Sequence, residues 1–274
     1  MNPTLYQICF EKHQLDQVKS PMVPFDNIEN LRPELREYHS FKRIIDENNA
    51  SKLYGVFGPR FQEKLRYDGQ DIYDFIVANP DQKGVYIFNH ARIQSVIFLN
   101  VWEQGEYFHP GIKKIMLYAL DKNGYDHTVI DSIMTEKHMC FCSYFVTSDI
   151  VWRDYMHFVE TIKITLDRLP DELNVIYHGS ANYSRDKSLG MFPFIVERLF
   201  STYMKLFTFD NFGLNVYVRP YDYSLYTTDS DFINYFQTLH RLKEASIDDS
   251  DSFDSWQYLR NDTLLKYPHL LHLD

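Results

Sequence analysis

Several side chains in this chain are of types that do chemistry, and they fall in a few tight places. Glu197-Arg198 interrupts an apolar run in which Phe194, Ile195, Leu199, Thr202 and Leu206 recur near helical spacing, so a carboxylate is placed in the first turns of a largely buried helix. Two kinds of chemistry fit it. One is a structural ion pair or a partner to the helix dipole; the other is a general base facing a cleft. Arg60 and Lys64 follow the apolar segment Lys52–Phe57, and Asn89-His90-Ala91-Arg92 follows Val85–Phe88. His178, Asn182, Arg185 and Lys187 crowd a polar loop just before the apolar helix. Cations at these places suit an anionic ligand; ordinary solvated loops are the competing explanation.

Other arrangements carry less. His138-x-Cys140-x-Cys142 alternates along an expected strand, but alternate residues of one flat strand converge poorly on a tetrahedral ion, and no second ligand pair exists. Asp229-Ser230-Asp231 and Asp249-Ser250-Asp251 are Asp-x-Asp triplets. The first reads as a helix cap and the second as part of an acidic loop over Ile247–Phe253, rather than as carboxylates converging on one cation at a strand end. Gly-x-Gly-x-x-Gly, a phosphate-binding loop, His-Glu-x-x-His and Gly-x-Ser-x-Gly are all missing.

The elements that must hold these residues read as follows. Leu5–Phe10, Lys52–Phe57 and Val85–Phe88 are strands, and a loop holds Pro21, Pro24 and Asp26-Asn27. Helices are expected over Pro33–Asn48, Asp71–Ala78, Gln94–Trp102 and Pro110–Leu120. His138–Val146 should be a strand, Ile150–Leu169 a helix capped by Asp149, and Val175–Tyr177 a short strand ahead of the helix that Gly190 opens. Leu214–Val218 is a last strand; Thr228 or Asp229 caps a helix reaching Leu242, and a tail with Trp256 and Tyr258 follows. Strands alternating with helices give an α/β fold, a single mixed, mostly parallel sheet flanked by helices with a C-terminal helical tail. Ligands of such sheets sit beyond the carboxyl ends of the strands, where Arg60, Lys64, Asn89, His90 and Arg92 fall.

Composition narrows the partners. The chain has 274 residues and a formal charge of −10, which argues against nucleic acid or anionic lipid as the main partner. Its 21 Tyr and 21 Phe suit half-buried surfaces that meet polar ligands such as sugars. Three cysteines make no disulfide framework. The start, MNPTLYQICFEKHQ, lacks the features of a signal peptide, and no stretch is long and apolar enough to span a membrane. A cytoplasmic protein is expected, with room for contact at the inner face of a membrane.

Four segments resemble bacterial glycosyltransferases of the A-type (GT-A) fold, the kind that build capsule, O-antigen and other surface polysaccharides. They are Leu53–Lys64, Asn100–Glu106 with His109-Pro110-Gly111, Cys142–Val146 leading to Trp152-Arg153, and Phe194–Phe200. In order of elements the likeness covers about residues 5 to 220. It implies a domain over 1–220 that binds a nucleotide-sugar donor and transfers its sugar to a saccharide or lipid-linked saccharide acceptor. Residues 221–274 are then a helical extension packed on the body, a partner or another copy of the chain.

By its place in the matching helix, Glu197 is the implied catalytic base. Arg60, Lys64, Asn89, His90, Arg92, His178, Arg185 and Lys187 are the implied donor contacts, and Tyr144 and Tyr183 the acceptor contacts. Most relatives of this type hold a divalent metal on an Asp-x-Asp pair. The corresponding strand end here reads Phe88-Asn89-His90, so no cofactor and no metal site is expected. Two other readings fit the residues: an inert nucleotide- or sugar-binding protein on the same scaffold, and an assembly protein whose aromatic tail docks on a partner.

Overall fold

The computed structural model describes residues 2–47, 52–181, 189–207, 213–225 and 227–267. Along the chain the elements are β1 (Thr4–Cys9), α1 (Lys12–Gln17), β2 (Met22–Asp26), α2 (Glu37–Glu47), β3 (Leu53–Phe57), α3 (Phe61–Leu65), α4 (Gly69–Ala78) and β4 (Gly84–Ile87). There follow α5 (Arg92–Ile97), α6 (Val101–Phe108), α7 (Ile112–Lys122), β5 (Phe145–Ser148), α8 (Asp149–Leu166), α9 (Asp171–His178), α10 (Phe192–Leu206), β6 (Asn215–Val218), α11 (Ser230–Ala245) and α12 (Ser250–Lys266). Short 3-10 turns at Pro33–Leu35 and Phe141–Ser143 precede α2 and β5.

The strands form one mixed sheet in the order β2-β1-β3-β5-β4-β6, flanked by helices. Five strands share a direction, and β5 runs against both of its neighbours, β3 and β4. β3 and β4 are buried at every position, as expected of strands covered on both faces. Gly55 makes the β3–β5 contact close: a Cβ there would stand 2.5 Å from Val146 Cγ2 and 2.7 Å from the Phe145 carbonyl oxygen.

The main core lies between the sheet and α8 and α10. Phe145 stacks on Phe200 at 3.4 Å and on Trp152 at 4.2 Å, and the Trp152 indole donates to the Tyr54 carbonyl at 2.8 Å. Each of these large rings is fully buried, and their apolar area dominates the stabilisation of this side of the sheet.

Several expectations are corrected. Val175–Tyr177 is not a strand but the second half of α9: Leu173 and Tyr177, four apart, are buried on one helical face, and Pro170 with Asp171 and Glu172 makes a good helix start. His138–Val146 is not one strand. The chain turns at Phe141–Ser143, where Cys142 (φ 57°) and Ser143 (φ 55°) are both left-handed, and only Phe145–Ser148 pairs. The loop around Pro21 and Pro24 contains β2, which Pro24 tolerates because β2 is the sheet edge. Ile247–Phe253 is not all loop, since Asp249 caps α12 by accepting from the backbone amides of Asp251 and Ser252. Asp229 caps α11 in the same way, so both Asp-x-Asp triplets are helix starts.

Gln94–Trp102, expected as one helix, is divided between α5 and α6, with Asn100 capping the second. The Asp149 expected as a cap is the first residue of α8, and Ser148 is its cap.

Residues after β6 form the α11–α12 hairpin, which packs on α5 through Phe236, Leu239 and Trp256. Lys243 is buried there, its ammonium donating to the Ser95 and Phe98 carbonyls at 2.6 Å each and lying 3.2 Å from Met139 Sδ. Beside it His240 pairs with Glu136 at 3.2 Å and Glu244 at 3.7 Å and stacks on Tyr221. The Tyr221 hydroxyl in turn meets Asn89 at 2.8 Å and Ser95 at 3.1 Å. The hairpin is thereby tied to the end of β4.

Although burial acts against it, the two carboxylates raise the His240 pKa to about 9. The folded protein therefore holds a proton that the unfolded chain releases near 6.5, and this stabilisation is complete below about pH 6.5 and lost between there and 9. Lys243, which burial lowers to about 7, changes stability in the opposite direction over an overlapping range. The difference between wild type and His240→Gln isolates the histidine. Urea unfolding should show a stability gap of roughly 2–3 kcal/mol at pH 6 that closes by pH 9.5; a gap independent of pH would remove the ion cluster as its cause.

Candidate functional site

The carboxyl ends of β3 and β4, the turn before β5 and the start of α10 meet in one crevice. Between Phe192 and Met204 every residue of α10 is buried except Glu197. Its neighbour Arg198 is 3 % exposed and points the other way, toward α6. There it donates to the Val101 carbonyl at 2.9 Å, to the Phe194 carbonyl at 2.6 Å and to the Gln104 side chain. Gly105 makes that path open, because a Cβ on it would lie 2.6 Å from Arg198 Nε. The arginine is occupied by α6, and Glu197 is left to the crevice.

Lys64, Cys142, Tyr144, Arg36, Glu37 and Glu197 line that crevice together. Lys64 Nζ lies 3.0 Å from Cys142 Sγ, and the thiol is 3.9 Å from both Glu197 Oε1 and His90 Nε2. The two left-handed residues, Cys142 and Ser143, aim the sulfur at Lys64. Neither is glycine, and backbone strain of about 1–3 kcal/mol per residue is the kind concentrated at functional sites.

The electrostatics follow from this packing. Burial raises the Glu197 carboxyl above the usual carboxylate range, the Lys64 and Arg198 cations oppose that rise, and Glu37 adds to it. Burial and the Glu197 charge push the Cys142 thiol up to about 12, so it stays neutral. Lys64 is held above its ordinary value by its contact with Cys142 at 3.0 Å and by the Glu197 charge, against desolvation, and stays charged. His90 is held well below its ordinary value by burial and by Lys64 and Arg92, so its ring is neutral at pH 7. The result is a carboxyl group with a raised pKa, Glu197, sharing the crevice with the charged Lys64. Such a pair can take a proton from a hydroxyl and compensate negative charge beside it.

Beyond Leu35, Arg36 and Pro193, which both spaces share, a hollow of about 650 Å³ opens. It is lined by Arg32, Lys163, Tyr177, His178, Met191 and Phe192 among others, and its volume falls in the ~300–1,000 Å³ range of ligand pockets.

The expected site residues divide among these places. Lys64, Tyr144 and Glu197 share the crevice, with His90 against Cys142. Tyr144 is 4 % exposed and stacks on Phe57, so its ring belongs to the core and only an edge reaches the crevice. His178 is on the wall of the larger hollow. Arg60 is exposed at the start of α3, outside both spaces. Asn89 is buried and spends its amide on Ser95 and Tyr221 and its oxygen on the Ala91 amide. Arg92 is buried behind His90, over the Tyr67 ring. Tyr183, Arg185 and Lys187 lie outside the described residues.

Glu37, Arg36 and the crevice role of Cys142 were not expected. Residues with a helix-start or strand signature give no sign of which distant carboxylate they will meet. Among the described residues no group of three His, Cys, Asp or Glu side chains is placed to hold a metal ion, and no helix is long and apolar enough to cross a membrane. No family model, curated protein or solved structure matches the chain.

The Lys64 charge does most to oppose the rise of the Glu197 carboxyl. In Lys64→Met, carbonyl-carbon NMR of the labelled glutamate should show Glu197 titrating at higher pH than in wild type. An unchanged or lower midpoint would mean that the two groups do not face each other.

Proposed function

We propose that this protein is a glycosyltransferase. It moves a sugar from a nucleotide-sugar donor to a saccharide or lipid-linked saccharide acceptor, in the manner of the bacterial A-type-fold enzymes of surface polysaccharide synthesis. The observation that carries the reading is the placing of Glu197: it is the one residue between Phe192 and Met204 that is not buried, and it lines a crevice at the strand ends together with a lysine while its neighbouring arginine turns to α6. Support also comes from the sheet, whose order changes direction about β1, the place where open α/β sheets bind ligands.

An acceptor hydroxyl is a weak nucleophile until its proton is taken as the new bond forms. In an inverting displacement, the acceptor oxygen attacks the anomeric carbon while Glu197 accepts its proton. The bond from that carbon to the donor's diphosphate oxygen breaks, and the electron pair leaves with the diphosphate. Lys64, fixed beside the carboxylate, compensates the growing charge, with Arg92 deeper on the same side. A carboxyl group whose pKa is raised by burial is a better base than an exposed one, and the Lys64 charge, which opposes the rise, favours its ionised form. The 650 Å³ hollow beside Pro193 is the acceptor's place, and the polar group His178 and the ring of Tyr177 on its wall suit a sugar. Where an acidic pair would hold a metal the chain has Asn89-His90, and charge compensation falls to Lys64 and Arg92.

Incubation with a panel of nucleotide sugars and acceptors should release nucleotide, and Glu197→Gln should slow release by about 10²–10⁴-fold while donor binding is retained. Release should continue in excess chelator. Donor binding with no turnover in wild type would identify an inert binding protein instead, and loss of activity in chelator that manganese restores would overturn the metal-free arrangement.

A further inference from the structure

A second cationic place lies beside the crevice, around Tyr67. Arg92 is 1 % exposed, yet its Nε and Nη1 are buried without any hydrogen-bond partner; only Nη2 is used, on the Leu65 carbonyl at 3.3 Å. Its guanidinium carbon lies 5.0 Å from the centre of the Tyr67 ring. The guanidinium of Arg219, at the end of β6, lies 4.7 Å from the centre of the same ring and 5.5 Å from that of Phe75. Among the described residues neither arginine meets a carboxylate. Tyr67 and Arg219 are half-buried and form the outer side, while Arg92 forms the floor.

This is an unusual arrangement for a chain with a net charge of −10. Two guanidiniums on one ring repel each other, and a buried guanidinium with two unused nitrogens has lost water without gaining a partner. Cation–π contact with Tyr67 offsets only part of that cost. An oxyanion would supply what is missing, because the planar fork of arginine is matched by phosphate oxygens two at a time. A ligand with two linked anionic groups satisfies both arginines, which a single phosphate does less well.

We propose that Arg92, Arg219 and Tyr67 form a diphosphate-binding site at the carboxyl ends of β4 and β6. Arg219 is its outer clamp and Arg92 its buried one. Identifying this diphosphate as the donor's rests on the glycosyl-transfer reading; the anion site itself does not. The donor would then lie with its diphosphate against β4 and β6 and its sugar toward Lys64 and Glu197. Arg219 acts as a positioning residue.

The test uses the full chain with inorganic pyrophosphate and orthophosphate as probes, followed by calorimetry and thermal unfolding. Pyrophosphate should bind wild type, raise its melting temperature and bind more tightly than orthophosphate. Arg219→Gln should weaken pyrophosphate at least about 10-fold, the loss of one charge-assisted contact. Its melting temperature without ligand should stay near that of wild type, since the side chain is on the rim. Arg92→Gln should weaken binding as well, and Glu197→Gln should bind pyrophosphate no more weakly than wild type. Failure of pyrophosphate to bind wild type, or equal affinity in Arg219→Gln, overturns the site. Arg219-dependent pyrophosphate binding in a protein that transfers no sugar would leave the site standing and overturn the glycosyl-transfer reading alone.

Discussion

The division of Glu197 and Arg198 between two sides of α10 is the constraint on which the candidate site depends. Side by side in sequence, they would neutralise each other if both faced the same space. Arg198 is instead drawn into the α6 interface by two backbone carbonyls and Gln104, and burial lowers it to about 10 while these acceptors hold it in place. Gly105 leaves room for it, and Trp102 fixes the same interface by donating to Thr202 at 2.9 Å. Among the described residues the carboxylate shares its crevice with Lys64, brought in by the short helix after β3, and with Arg36.

The rest of the fold serves to bring that pair together. β3 delivers Lys64 through Gly58-Pro59 and α3, and β4 delivers His90 and Arg92. The antiparallel β5 sits between these strands, so its entry turn places Cys142 where the ends of β3 and β4 meet. The start of α10 is pinned on the opposite flank by His109, which stacks on Phe194 at 3.9 Å and contacts the Ala181 carbonyl at 2.6 Å. Tethering of the β4 end to the C-terminal hairpin through Asn89, Tyr221 and His240 makes α11 and α12 part of the same support.

Much of this was legible in the chain. The apolar runs of β3, β4 and β6 and the periodic faces of α2, α8 and α10 are long or clean enough to be read from spacing, and they gave the α/β class and the strand ends that carry Lys64, His90 and Arg92. Glu197 was legible because it breaks an apolar run. Less was visible where local preference and tertiary packing disagree. Val175-Ile176-Tyr177 has strand-forming residues, but Pro170 and the burial of Leu173 with Tyr177 make it helical. The alternation in His138–Val146 continues across a turn whose two left-handed residues are not glycine, and nothing in their side chains announces it. Asn89 looked like a ligand contact because its internal partners, Ser95 and Tyr221, are six and 132 residues away. Arg219 gave no signal at all, since its relation to Arg92 exists only once β6 lies beside β4.

The central claim is that Glu197 faces a space that a nucleotide sugar enters from the strand ends. A crystal structure of the protein soaked with uridine or cytidine diphosphate tests it most directly. The account predicts the diphosphate at the carboxyl ends of β4 and β6, on Arg92 and Arg219, with Lys64 and the Glu197 carboxylate on the side where the donor's sugar would lie. A nucleotide bound away from those ends, or a Glu197 side chain turned from the ligand and paired with Arg198, would contradict it.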